Sequence, residues 1–341
     1  MPRAGITIRD VAQQAGVSHM TVSRVINGDA RVSEETRARV QQAIRELDYR
    51  PSAIARSLAR GSTRTLACIV PNLTDYTFAS IIEGAEAEAR RQGYFLLSSS
   101  APDEESFEKL IVSLVNARRV DGLLIFNAYA DARHTRIPQG VPVVLVGARH
   151  RGQAFSSVAL DEPRAAAQAL GHLLALGHRD FLFISGIPAE DCTQGRTEGV
   201  RNALQAAMVA WDAQRLYIGD WSATSGYAAV NHALTQGTRF TAIFAYNDRM
   251  ALGAVRALRE HGLRVPEDVS VIGFDDMPLV AYCDPPLTTL RQDTAEIGRA
   301  AAALLMQALE NPQNPHQHLQ LPVELIVRAS TAAPIKEVML A

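Results

Sequence analysis

Ser18, His19, Met20, Thr21, Ser23 and Arg24 crowd hydroxyls, an imidazole, a thioether and a guanidinium into seven positions. Such a set suits the edge of a nucleic-acid duplex. The Thr21 and Ser23 hydroxyls and Arg24 can bond phosphates or base edges, and Met20 can touch a thymine methyl. A second set is scattered over Asn72 to Phe78, Glu190 to Arg196, Asp220-Trp221, Asn247-Asp248 and Asp275-Asp276. Its carboxylates, amides and guanidinium can grip hydroxyls or a carboxylate in bidentate fashion, while Phe78 or Trp221 covers the apolar face of a ring. Together they suit a small polyhydroxylated molecule.

Three short helices must position the first set. Thr7, with Asp10 three residues on, opens a helix whose Val11, Ala12 and Ala15 fall on one face. Gly16 supplies a turn. Ser18 caps a second helix in which Val22, Val25 and Ile26 form the buried stripe, leaving His19, Met20, Thr21 and Arg24 on its outer face and N-terminal end. Asn27-Gly28 ends it. Ser33-Glu34-Glu35 starts a third helix with acids in its positive first turn and an apolar stripe of Val40, Ala43, Ile44 and Leu47.

Residues 1–64 hold eleven arginines, no lysine and six acids, a surplus of +5, whereas the whole chain carries −2, so the remainder carries −7. A basic head on an acidic body fits a polyanion partner for the head alone. The segment from Ser52 to Ala59 is too short to be stable as an isolated helix. Its Ala53, Ile54, Ala55 and Leu58 give one apolar side, suited to pairing with the same segment of a second copy while Leu58 wedges between bases.

The second set rides on a different grammar. Short apolar runs at residues 66–70, 94–97, 122–126 and 141–146, then 180–184, 215–218, 241–244 and 269–273, alternate with helix-length stretches such as Phe78 to Gln92. Alternation of this kind gives parallel sheets covered on both faces. Two series imply two similar α/β lobes. Ligands lie beyond the C-terminal ends of such strands, which places the second set in a cleft between the lobes.

With Thr7 to Ala12, Ala15 to Ser18, Thr21 to Asn27, Val32-Ser33, Tyr49 to Pro51 and Ala55 to Leu58, the chain resembles the lac repressor and galactose repressor family. Gly219 to Gly226, Asn247 to Gly253, Val265 to Asp276 and Pro285 to Thr289 are similar to that family's effector domain, so the resemblance covers nearly the whole chain. It implies DNA contacts from Thr7, Ser18, His19, Met20, Thr21, Ser23, Arg24 and Asn27. From a hinge helix come Ala55, Leu58 and Ala59, with Leu58 opening a central base step from the minor groove. By position, it implies effector contacts from Arg196, Trp221, Asn247 and Asp275 in one lobe and from Asp75 and Phe78 in the other. The purine-responsive branch has an arginine where this chain has Glu190, a phenylalanine matching Trp221 and a lysine where this chain has Ala59. The resemblance therefore favours a sugar or sugar acid over a purine.

Other classes fit less well. The chain has no G-x-G-x-x-G after the first strand, no phosphate loop, no G-x-S-x-G elbow and no H-E-x-x-H. Adjacent Asp275 and Asp276 point apart and do not act as an acid-base pair. His316 and His318 share a strand face, yet two ligands make no metal site. Cys68, Cys192 and Cys283 are odd in number and far apart, which fits a reducing cytoplasm and neither a disulfide frame nor a zinc site. No signal peptide or long apolar run precedes the head. A transporter-type solute-binding protein shares two lobes but needs an export signal and no basic head.

The expectation is an α/β protein that is not an enzyme and carries no cofactor or metal. A helix-turn-helix head (residues 1–50) and a hinge helix with linker (51–63) precede a two-lobed body of doubly wound parallel sheets (64–341), similar to periplasmic binding proteins. The first lobe spans residues 64–161 and 292–322, the second 162–291 and 323–341. The expected function is repression of carbohydrate-utilisation genes, relieved by a sugar or sugar acid, with a purine- or nucleoside-responsive regulator as the alternative. The expected partners are a pseudo-palindromic operator, the effector and a second copy of the chain, in the cytoplasm and without a membrane. Thirteen residues after Arg328, without leucine heptads, favour a dimer over a tetramer.

Overall fold

The structure is a computed structural model that describes residues 6–50, 61–152 and 155–335. The chain divides between Arg64 and Thr65 into two compact units. Ala55, Leu58, Ala59 and the rest of the expected hinge helix lie outside the described residues.

In the small unit, α1 (Ile8–Ala15), α2 (His19–Ile26) and α3 (Glu34–Glu46) share one core. Val11, Val22 and Val40 are fully buried at its centre, with Ala12, Ala15, Val25 and Ala43 around them and Ile26 only partly covered. Side chains set the helix starts. Asp10 accepts from the Thr7 amide at 2.7 Å and from its hydroxyl at 2.8 Å; Ser18 Oγ accepts from the Thr21 amide at 3.1 Å; Ser33 Oγ accepts from the Thr36 amide at 3.4 Å. Gly16 closes α1 in the left-handed region at φ 62°, a conformation that costs glycine nothing and lets the chain turn into α2.

The large unit holds two parallel sheets. Strands β1 (Thr65–Val70), β2 (Phe95–Ser100), β3 (Gly122–Phe126), β4 (Val143–Val146), β5 (Ser156–Leu160) and β11 (His318–Leu321) form the first, in the order β11-β5-β4-β3-β1-β2. In the second, β6 (Phe181–Ser185), β7 (Leu216–Ile218), β8 (Ala242–Ala245) and β9 (Ser270–Ile272) stand in the order β7-β6-β8-β9. Every pair in both sheets is parallel. The central strands β3, β4, β6 and β8 are buried along their whole length, as double-sided helix cover demands.

Helices α4 (Tyr76–Arg91) and α10 (Thr294–Glu310) pack together on the first lobe, whereas α6 (Glu162–Ala175) with α7 (Asp191–Ala206) and α8 (Ala223–Thr235) with α9 (Asp248–Glu260) pair on the second; α5 (Glu104–Ile111) completes the set. Gly84 and Gly298 allow the α4–α10 approach, because a Cβ on either would overlap the other helix's backbone at Ala295 or Ile81. An antiparallel pair, β10 (Thr289–Gln292) with β12 (Val323–Ile326), carries the chain back and forth between the lobes.

The eight apolar runs all become strands. Strands β5, β10, β11 and β12 escape an apolar-run reading because polar residues interrupt each of them. Ser156 and Ser157 are buried in β5 only because Ser156 Oγ accepts from the Gln317 amide at 3.1 Å and Ser157 Oγ bonds His318 Nδ1 at 2.9 Å. Tertiary neighbours satisfy them.

Candidate functional site

Helix α2 presents two faces. Val22 and Val25 turn into the core, while His19, Met20 (58 % exposed), Arg24 and Asn27 are exposed and Thr21 and Ser23 half-buried. The Ser18 hydroxyl lies 2.9 Å from that of Thr21, so the capping pair also fixes the Thr21 side chain at the start of α2. Thr7 holds Asp10 through its hydroxyl and serves the start of α1. An exposed helix face with a hydroxyl-rich N-terminal end is the geometry that enters a major groove.

Between the two lobes of the large unit lies a cavity of about 220 Å³. All six expected effector residues, Asp75, Phe78, Arg196, Trp221, Asn247 and Asp275, line it. Arg196 is its fulcrum. The residue is 4 % exposed, and its guanidinium donates to Glu162 at 2.7 and 3.3 Å and to the Tyr246 carbonyl and stacks 3.4 Å from the centre of the Phe274 ring. Burial opposes its charge, yet the Glu162 carboxylate holds its pKa above the ordinary value.

Asp275 follows β9 with φ 118°, a strained value for a residue with a Cβ. Gln292 donates to its Oδ1 at 2.6 Å. Burial pushes its carboxyl up to about 7 against the pull of Arg196, with Asp75 and Glu162 adding to the rise. Asp276 points elsewhere, to Arg291 at 2.7 Å and Arg328 at 2.7 Å, as two adjacent acids at a strand end should.

Asn247 caps α9: Oδ1 accepts from the Met250 amide at 2.9 Å and Nδ2 donates to the Trp221 carbonyl at 3.0 Å. Asp248 is the first residue inside that helix and fully buried, accepting from the Met277 amide and the Thr289 hydroxyl. The Asn247 side chain, and not the Asp248 carboxylate, caps the helix. Burial, then the nearby Asp275, drive the Asp248 pKa well up.

Trp221, at φ 69°, lays its indole over Gly186, where any Cβ would fall inside the ring. Its Nε1 donates to Glu190 at 2.7 Å, and Asn127 of the first lobe donates to the same carboxylate at 3.0 Å. Burial raises the Glu190 pKa, and these donors temper the rise. Asp75 caps α4 by accepting from the Thr77 amide at 2.9 Å, and Arg249 reaches across the cleft to it at 2.8 Å. Phe78 meets Phe126 edge to face, with centroids 5.6 Å apart.

Glu162, Asn127, Arg249 and Gln292 belong to the lining without having been singled out. Arg249 stands two residues after Asn247 and was legible by position. Asn127 directly follows β3 and was legible in the same way, whereas Glu162 and Gln292 emerge only from the lobe-to-lobe path of the chain. Among the described residues no group of three or more His, Cys, Asp or Glu side chains fits a metal ion, and His318 instead packs on His150. No described helix is long and apolar enough to cross a membrane.

A family model for bacterial regulatory proteins of the lacI family matches residues 7–52, and one for a periplasmic binding protein-like domain matches residues 170–331. The HTH-type transcriptional repressor CytR of Escherichia coli (strain K12) is 34 % identical over 329 residues, 96 % of each chain. The chain belongs to the lacI family. The HTH-type transcriptional repressor PurR of Erwinia tasmaniensis is 37 % identical over 334 residues, 96 % of this chain and 97 % of that one. A crystal structure of the lac repressor dimer bound to operator and the anti-inducer ONPF superposes with a TM-score of 0.87 at 31 % identity, covering 96 % of this chain and 99 % of the other. This lacI-family member is a DNA-binding transcriptional repressor, with a helix-turn-helix head and a two-lobed body, and not an enzyme.

Proposed function

We propose that this repressor binds a pseudo-palindromic operator as a homodimer in the cytoplasm and leaves it when a small sugar or sugar acid fills the interlobe cavity. The observation that carries the reading is the convergence of Arg196, Asp275, Asn247 and Trp221 with Asp75 and Phe78 around one cavity beyond the strand ends. Hydroxyl-gripping groups and aromatic faces meet there. Symmetric half-sites need two heads, and the similar lac repressor structure is a dimer on operator.

The DNA contacts assigned to α2, to Thr7, and to Ala55, Leu58 and Ala59 belong to this proposal, as do the division into residues 1–50, 51–63 and 64–341 and the two lobes' limits. Effector binding changes the relation of the lobes, and through the hinge segment decides whether paired hinge helices order on DNA. That is a coupling free energy carried by one order-disorder element. A nucleoside-responsive repressor is the second reading, favoured by the Phe78–Phe126 pair and Trp221, which can flank a base.

Fluorescence anisotropy with operator fragments, with and without sugars, sugar acids and nucleosides, tests the scheme. Asp275→Asn should leave operator affinity near that of the native protein and abolish release by the effector; loss of both indicates a folding defect and counts against the assignment. Leu58→Ala should weaken specific binding and spare nonspecific binding, because a wedge contributes only where DNA kinks.

A further inference from the structure

We propose that the interlobe cavity selects an uncharged polyhydroxylated ring compound, a sugar or a nucleoside, and rejects its carboxylated or phosphorylated counterparts, because each guanidinium lining it is already paired with a carboxylate. The inference rests on the reading of this cavity as the effector site, and it narrows that reading by removing acids.

Among the described residues the lining carries five carboxylates, on Asp75, Glu162, Glu190, Asp220 and Asp275, against the guanidinium groups of Arg196 and Arg249. No lysine or histidine stands among the lining residues. An acidic effector needs a cation that is not already neutralised. Arg196 has spent its charge on Glu162 in a two-pronged contact at 2.7 and 3.3 Å, and its remaining amino group on the Tyr246 carbonyl. Arg249 is held by Asp75 at 2.8 Å. The surplus of carboxylates stays negative even with Glu190 and Asp275 both protonated, since three acids then face two cations.

Helix N-termini are the other common anion holders, because their amides and dipole favour negative charge. At three of the cleft's helices they are occupied by the protein's own groups, since Asp75, Ser222 and Asn247 each accept a first-turn amide of α4, α8 and α9. The start of α7 has no side-chain cap, but the two acids placed there, Glu190 and Asp191, set negative charge against an incoming anion. What the lining offers instead is acceptors for hydroxyl or amino donors. Asp275 Oδ1 takes Gln292, and its second oxygen carries no hydrogen bond among the described residues. Trp221, Phe78 and Phe126 supply apolar faces that a ring's C–H side can cover.

Burying an uncompensated anion costs several kcal/mol, so each neutral compound should bind about 100-fold or more tightly than its acid. The test is calorimetric titration of the full-length protein with pentoses, hexoses, disaccharides and nucleosides, each matched with its uronic or phosphorylated form. Binding of a neutral member with weaker or absent binding of its acid is expected, and sugars against nucleosides identify the source. An acid binding as well as or better than its neutral parent, or no neutral member binding at millimolar concentration, overturns the inference. Glu190→Gln, which keeps the acceptor for Trp221 and deletes a charge, should narrow the neutral-to-acid ratio about tenfold; an unchanged ratio also overturns it. Operator release is read separately. A neutral compound that binds without releasing DNA would sink the effector-site reading and leave the charge selection standing.

Discussion

Trp221 and Asp275 show what single residues do at this site. The indole occupies the space that only glycine at 186 leaves open, and from there bonds Glu190. Gly186→Ala should displace the ring, destabilise the body by about 1–3 kcal/mol through overpacking, and weaken effector binding about tenfold or more, with operator affinity in the absence of effector unchanged; calorimetry and anisotropy check both halves. Asp275 bears on pH. Its carboxyl titrates near 7 in the folded chain, above an unfolded value near 3.8, so the folded state holds the extra proton between these limits. Stability from this group is complete below about pH 4 and lost as pH rises to 7, in the field of Arg196, Asp75, Glu162 and Asp248. Asp275→Asn should flatten that slope and melt higher than the native protein at pH 8, by calorimetric scans across pH. A steeper slope would contradict the burial account.

Among the elements, the helices of the head depend on their first residues. Ser33 caps α3 and lies outside α2 and its proposed DNA-contacting residues. Ser33→Ala should cost the head about 1 kcal/mol of stability while leaving the ranking of operator variants as it was. Ser18→Ala strikes the cap and the Thr21 hydroxyl together, so it should lose stability and alter that ranking. Melting curves and competition binding separate the two. Helix periodicity made α1, α2 and α3 legible because each presents a single apolar stripe. The apolar runs that became β1, β3, β4, β6, β8 and β9 were legible because a strand covered on both faces is apolar throughout, and those of the edge strands β2 and β7 by their likeness to them, although Phe95, Leu97 and Ile218 stay exposed. Strands β5 and β11 were not legible, because their polar residues are satisfied by each other across 161 positions of sequence, as Ser157 and His318 show.

At the scale of the body, polar contacts tie the lobes across the cleft: Arg249 to Asp75, Asn127 to Glu190, and Arg151 to Asp191 at 2.6 Å. Opening the cleft must break them, so they set part of the balance between open and closed states. Arg249→Met, which keeps the length of the chain and removes the charge, should shift that balance toward open, seen as a larger radius of gyration by X-ray scattering without effector and a weaker apparent effector affinity. Both measurements unchanged would show that the bridge carries no weight in closure. The pair is partly exposed, which keeps the expected change in affinity to a few-fold.

By itself the sequence determined the lacI-type head, the doubly wound body and the six residues expected to meet in the cleft. The helices and strands follow from local periodicity and capping chemistry and the cleft from the rule that ligands lie beyond strand ends, whereas the lacI-type assignment and the choice of these six residues come from the resemblance to the family. Tertiary structure decided the partners. That Arg196 is consumed by Glu162, that Asn127 and Trp221 share Glu190, and that Gln292 holds Asp275 all depend on segments brought together by the crossings between lobes. Charge balance in a closed space is a sum over such neighbours, and no local stretch of chain contains it.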